Sequence, residues 1–218
     1  MDLWTLWLDA IGSLLAFLST ATGLGTGVGI IVMTLVVRTA ILPLTWVVAY
    51  RGYVRQKKLR RLQPELEALK KKFAAEPQIY AQHMLATYNK HGLKPIDGAS
   101  VLAALAQAPI LFGVFHVLRA GSVSGRFLWI VNLARPDLWL ALAAGVATTL
   151  LVASNPDLPG QLRAFMILIP AVLIVVTALK LSSAVALYWT TANLYSALQS
   201  VVLHFVVARR IRSGALTI

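Results

Sequence analysis

Arg38 stands inside an apolar stretch, residues 23–49, that holds no other charged side chain. A guanidinium keeps its proton in proteins, so the charge cannot be removed by titration. Near the centre of a bilayer such a charge costs at least about 2.5–3.5 kcal/mol. The side chain therefore has to face water, a partner or a substrate, and the fold must supply one of them. No Asp or Glu lies in the long apolar runs that follow, at 99–118, 138–153, 164–179 and 184–208, to neutralise it.

The runs themselves set the class of protein. Of 218 residues 58% are hydrophobic and only 13% are charged, with a mean hydropathy of +0.74. That is too apolar for a soluble domain of this length and implies an integral membrane protein. The absence of cysteine excludes disulfides and thiolate metal sites. The net charge of +12 would suit nucleic acid, but eleven of the 20 Lys and Arg residues fall within residues 51–97, and Arg209, Arg210 and Arg212 close the chain. Clustering of this kind marks cytoplasmic segments and contact with anionic lipid, so no specific nucleic-acid partner is expected. The N-terminal segment carries Asp2 and Asp9 and no cation before Arg38. It lacks the positive n-region of a secretory signal, and a bacterial membrane protein is expected.

Residues 3–20 space Trp4, Trp7, Ile11, Leu14 and Leu18 at helical steps, with Asp2, Thr5, Asp9 and Ser13 largely between them. This predicts an amphipathic interfacial helix over 1–22, with a short extra span as the alternative. A core over 23–208 follows. Its expected spans are about 30–50, kinked by Pro43, then 99–118, 138–153, 164–179 and 184–208. Residues 51–97 are polar and basic. Leu59, Leu62, Leu66, Leu69 and Phe73 form a heptad seam that Pro64 interrupts, and Gln78–Asn89 reads as a second helix, so the two make a cytoplasmic hairpin. Asn155-Pro-Asp-Leu-Pro159 predicts a tight turn. Residues 209–218 form a basic cytoplasmic tail. Five spans put the N-terminus outside and the C-terminus in the cytosol. The fold class is thus an all-α membrane protein: a five-transmembrane-helix bundle with a cytoplasmic helical hairpin and an N-terminal interfacial amphipathic helix.

Motifs for catalysis are missing. The glycines at 23, 25, 27 and 29 fail the dinucleotide pattern, lacking its third glycine, and have no P-loop lysine. His83, His91, His116 and His204 are dispersed, without metal-ligand spacing, and His116 and His204 read as polar tips near span ends. Gly98-Ala99-Ser100 is like the serine motif of rhomboid proteases, but Val101 stands where that motif has glycine. No cofactor, no metal and no enzymatic activity are expected. The spans do carry polar faces. Thr34 and Arg38 lie one turn apart, and Thr190, Asn193, Ser196, Gln199 and Ser200 make a stripe. Hydrogen bonds between helices account for many of these groups, while a water-filled groove also accounts for the arginine.

Five segments, in order, resemble one family. Thr34-Leu-Val-Val-Arg38-Thr-Ala-Ile-Leu-Pro43, Leu62-Gln-Pro64-Glu-Leu, Met84-Leu-Ala-Thr-Tyr88-Asn-Lys-His-Gly92-Leu-Lys-Pro95, Gln107-Ala-Pro109-Ile and Leu187-Tyr188-Trp189-Thr-Thr-Ala-Asn193 are similar to motifs of the YidC/Oxa/Albino membrane protein insertases. The resemblance runs over about residues 20–208. It implies a hydrophilic groove open to cytosol and lipid, with Arg38 as its arginine. Thr34, Gln107, Leu111, Trp189 and Asn193 match positions near the groove or on substrate-contacting helices, although Leu111 replaces a phenylalanine found in some members. Residues 94–98 and 182–184 depart from the usual family sequence. The implied partners are nascent membrane proteins and the lipid bilayer, with transient contacts to the Sec translocon and the ribosome. The hairpin cations Arg55, Lys57, Lys58, Arg60 and Arg61 would recruit them. The implied location is the bacterial inner membrane. The alternative is a small anion transporter using Arg38.

Overall fold

The computed structural model describes residues 2–93, 98–119, 123–155, 158 and 162–215. The hairpin exit at 94–97, the turn residues Pro156, Asp157 and Pro159, and the last three residues of the basic tail lie outside them, as does the side chain of Ser100. Eight helices follow one another: α1 (Leu3–Thr22), α2 (Thr26–Ala40), α3 (Leu42–Lys72), α4 (Pro77–Lys90), α5 (Gly98–Arg119), α6 (Leu138–Ala153), α7 (Arg163–Ala178) and α8 (Ser183–Arg212).

Local chemistry sets the helix ends. Asp2 caps α1, its carboxylate accepting from the Thr5 N–H at 2.8 Å. That backbone bond, helped by the Thr5 hydroxyl, lowers the Asp2 pKa. Gly23 ends α1 in the left-handed conformation, φ 64°, with its N–H on the Thr20 carbonyl. Residue 41 separates α2 from α3, and the two axes meet at 63°. Pro43 sits in the first turn of α3. Its missing N–H frees a carbonyl one turn back, where its ring would also clash with a straight helix.

The expected span over 30–50 is therefore broken, with Arg38 in the last turn of its first half. Beyond the bend, α3 runs for 31 residues straight through Pro64, the residue that interrupts the heptad seam. Pro64 is exposed, so water satisfies the carbonyl it frees and the helix continues. Leu62 of the seam is buried, and α3 packs against α4. Phe73 stacks on His83 at 4.6 Å between ring centroids, tying the hairpin at its tip.

The main core gathers Ile30 and Met33 of α2, Val114 and Leu118 of α5, Leu140 and Ala141 of α6, and Val185 and Leu187 of α8, all buried. It lies toward the end of the bundle where residues 123–135 and 182–184 meet. There the Ser182 hydroxyl donates to the Leu118 carbonyl at 3.0 Å and the Ser183 hydroxyl to the Arg135 carbonyl at 2.6 Å. The Ala184 N–H donates to the Leu133 carbonyl at 3.0 Å. These bonds close that end. Small residues let α6 approach its neighbours closely: Ala141, Ala144, Gly145, Ala147 and Thr148 are all buried. α7 leans on α6 and exposes an apolar face with Phe165, Leu168, Ile169, Val172 and Leu173.

α1 runs antiparallel along α2. Its Ser19 meets Gly29 at one end, and its Trp7 lines a crevice with Val37, Ala40 and Ile41 at the other. The Trp7 indole donates to the Pro109 carbonyl of α5 at 3.1 Å. α1 is 20 residues long and apolar enough to cross a bilayer. By length and composition α1, α8 and the bent pair α2–α3 qualify as spans among the described residues, with α6 and α7 as shorter apolar helices.

The α1–α2 contact rests on Gly29. A Cβ there would meet the Ser19 hydroxyl and lie 3.1 Å from the Ser19 Cα. Gly29→Val is expected to destabilise the protein by about 1–3 kcal/mol, as overpacking does. Gly12, with open space around its Cα, should gain about 0.5–1 kcal/mol on replacement by alanine through helix propensity alone. Thermal unfolding in detergent micelles measures both; a neutral Gly29→Val would show that the two helices do not pack this closely.

Candidate functional site

Below the core, the bend between α2 and α3 leaves the helices splayed, and a cleft of about 520 Å³ fills the gap. At about 30 Å³ each, on the order of fifteen waters would occupy that volume. One wall continues a single helical face through the bend: Arg38, Ile41, Thr45, Val48, Gly52 and Gln56 recur at three- and four-residue steps. The opposite wall is α8, with Ser196, Gln199, Ser200, Leu203 and His204. Gln107 and Ile110 of α5 and Leu151 and Asn155 at the end of α6 complete it.

Arg38 is half-buried at the top of this cleft. No carboxylate of the described residues lies within salt-bridge distance of it, and none of them lines the cleft. The polar groups around it are neutral amides and hydroxyls. Some of them bridge the walls. Gln199 donates from Nε2 to the Thr45 hydroxyl at 3.4 Å, and Asn155 from Nδ2 to Gln56 Oε1 at 3.3 Å. Below them Tyr53 and His204 meet edge to face, their centroids 4.4 Å apart. Tyr53, Leu203 and Val207 form a second small core that holds α3 against α8. The arrangement offers a fixed positive charge over a set of neutral hydrogen-bonding groups. Among the described residues there is no cluster of His, Cys, Asp and Glu able to hold a metal.

The structure brings together two of the six residues expected at a groove, Arg38 and Gln107. Thr34 is buried one turn away, its hydroxyl donating at 2.6 Å to the Ile30 carbonyl of its own helix. Trp189 packs against the main core. Asn193 donates from Nδ2 to the Thr148 hydroxyl at 2.9 Å, joining α8 to α6. These three form the packed roof rather than the cleft wall. Leu111 is exposed on the outer side of α5, one residue and about 100° of rotation from Ile110, which does line the cleft.

The hairpin cations also divide. Lys58 is exposed, and Arg55 is partly buried. Lys57 lies 5.3 Å from the Tyr53 ring centroid, and with Arg60 and Arg61 it lines a shallow depression beside Ile211. Sequence reasoning missed Gln56, Tyr53, Asn155 and His204. For Gln56 and Tyr53 a signal existed, since they extend the Arg38–Thr45–Gly52 face beyond the assumed span end.

Known proteins are similar to this chain in sequence and fold. The family model described as 60Kd inner membrane protein matches residues 17–210. Membrane protein insertase MisCA of Bacillus subtilis (strain 168) is 32% identical over 202 residues, covering 87% of this chain and 74% of its own. Membrane protein insertase YidC 1 of Halalkalibacterium halodurans is 34% identical over 199 residues, covering 86% and 73%. Against membrane protein insertase YidC of Helicobacter pylori (strain J99) the identity is 31% over 197 residues, but the match spans only 34% of that longer protein. The crystal structure of an active YidC insertase with its first transmembrane domain resolved superposes with a TM-score of 0.65 at 25% identity, over 91% of this chain and 46% of that one.

Since the chain has no native cysteine, solvent access to the cleft can be mapped with single replacements. Gln107→Cys and Ser196→Cys should react readily with a water-soluble maleimide, and Thr34→Cys should be protected. Equal protection at all three would mean that the cleft is dry. Loss of the Asn193–Thr148 bond should cost about 0.6–1.7 kcal/mol in a double-mutant cycle of Asn193→Ala with Thr148→Val.

Proposed function

The chain belongs to the 60Kd inner membrane protein family, that of YidC and Oxa, and we propose that the cleft beneath Arg38 is where it works as a membrane protein insertase. The observation that carries this reading is a guanidinium without a counter-ion among the described residues, set in an open cleft of neutral polar groups large enough for polypeptide. A nascent hydrophobic segment with a short polar flank enters the cleft. Arg38 attracts acidic residues of the flank, and Gln107, Ser196, Gln199 and Thr45 replace part of its hydration. Thr34, Trp189 and Asn193 act one layer away, keeping α2, α6 and α8 in place. Leu111 faces the path by which the apolar segment leaves. The driving force is burial of that segment in lipid, about 25 cal/mol per Å². A membrane potential positive outside helps acidic flanks across by about 2.3 kcal/mol per charge per 100 mV. No covalent step is needed.

The topology proposed for this mechanism puts the α3–α4 hairpin and the C-terminal cations in the cytosol of a bacterial cell, at its inner membrane. α2 with the start of α3, α5, α6, α7 and α8 make five crossings. α6 and α7, at 16 residues each, rise about 24 Å against an apolar layer of about 30 Å, which favours local thinning of the bilayer. A helix lying in the interface would cross α2 rather than follow it, so the antiparallel packing of α1 supports the extra span over the interfacial helix. α1 then adds a sixth crossing and brings its N-terminal end to the cytosolic side. Five crossings alone would have left that end outside. Arg55, Lys57, Lys58, Arg60 and Arg61 lie where nascent chains, anionic headgroups, the ribosome or the Sec translocon would be met transiently.

Reconstitution in liposomes tests the proposal with short single-span substrates that differ only in the charge of the translocated flank. Arg38→Ala is expected to reduce insertion of the acidic-flank substrate by about tenfold, equivalent to about 1.4 kcal/mol of lost attraction, and of the neutral-flank substrate much less. Arg38→Lys should recover part of the loss. The same loss for both substrates would remove charge attraction from the mechanism. Saturable flux of a small anion in place of insertion would favour the transporter.

A further inference from the structure

One face of α1 is left without a partner. Asp2, Thr5, Asp9, Ser13, Ala16 and Thr20 follow one another at three- and four-residue steps, and all are exposed. The opposite face, with Trp7, Ile11, Leu14 and Leu15, is packed on α2 and α5. The polar row therefore points away from the body of the protein. Between its members, Gly12 has open space on the side where a Cβ would project, with no atom within 4 Å. The row is thus also shallow enough for another helix to approach.

Asp9 makes the row more than an ordinary polar surface. It lies seven residues from Asp2, about 10 Å along the axis. Trp7, half a turn away, is level with Val37, Ala40 and Ile41, so Asp9 sits close to the depth of Arg38. Its carboxylate makes no hydrogen bond and no ion pair among the described residues. An aspartate side chain is too short to reach the interface from that depth, and a bare carboxylate in lipid costs about 2.5–3.5 kcal/mol toward the bilayer centre.

We propose that this face docks a transmembrane helix of another membrane protein that carries an arginine or lysine about two turns from its cytosolic end. Charge complementarity selects that occupant. A second copy of the chain related by a two-fold axis would set Asp9 against Asp9, and two carboxylates at one site repel. A purely apolar helix would leave the charge unanswered. With a basic helix, the carboxylate receives a charge-assisted hydrogen bond, the Ser13 and Thr20 hydroxyls face the partner, and Gly12 and Ala16 permit close contact. Docking of this kind rests on the topology proposed above, with α1 as a crossing, but uses none of the cleft residues.

Two measurements test it. The first uses the full chain in liposomes, labelled with a fluorophore at Leu24→Cys, an exposed position beyond the outer end of α1. It is mixed with synthetic leucine–alanine single-span peptides that carry either arginine or leucine two turns from one end. Energy transfer should show the arginine peptide associating about threefold to tenfold more tightly. Asp9→Asn should abolish that preference. Equal association of the two peptides, a preference untouched by Asp9→Asn, or Asp9-dependent transfer between copies of the chain itself would overturn the proposal. The second measurement labels Leu3→Cys with a membrane-impermeant maleimide. Labelling from the cytosolic face is expected. Labelling from the outer face alone would place the row in water at the interface and overturn it as well.

Discussion

The whole arrangement follows from the need to keep one permanent charge solvated inside an apolar layer. Arg38 cannot be neutralised by losing its proton, and no acid of the described residues lies beside it. The remaining solution is to keep the helices around it apart. Pro43 does this most directly: by breaking the rod between α2 and α3 it turns the chain through 63° immediately after the arginine. The space opened by that turn is the cleft.

Such a cleft weakens a bundle unless other contacts hold it, and here those contacts are segregated by depth. At the closed end, side-chain hydroxyls of Ser182 and Ser183 tie the start of α8 to the carbonyls of Leu118 and Arg135, and small residues on α6 bring α8 within close contact. At the open end, Tyr53, Leu203 and Val207 join α3 to α8, with Arg210 donating to the Tyr50 hydroxyl at 3.5 Å and lying over its ring. The cleft is bounded above and below by packed layers, and apart from Arg38 and His204 the polar side chains on its walls are amides and hydroxyls.

The paired charges on either side of α2 give the molecule a second theme. Arg38 faces inward to the cleft and Asp9 faces outward from α1 at a similar depth, with the apolar layer of Trp7, Ile11 and Met33 between them. The two do not neutralise one another across that layer. Neither forms an ion pair among the described residues.

Much of this was legible in the amino-acid order. Apolar runs, clustered cations and the lone arginine establish a helical membrane protein with a basic hairpin, because burial in lipid and the cost of a bare charge act on composition and spacing directly. The extents of α6 and α7 follow for the same reason. The continuous α3 did not, because Pro64 is a helix breaker only where its freed carbonyl lacks water, and exposure is a property of the folded chain. The assignment of Thr34, Trp189 and Asn193 to a roof and of Gln56, Tyr53, Asn155 and His204 to the cleft depended on which faces of separate helices converge. So did the path of α1, whose polar row suits an interface or a protein partner equally well as a pattern. Its course along α2 is set by contacts between residues far apart in sequence, such as Trp7 with Pro109, and periodicity within one helix carries no information about those.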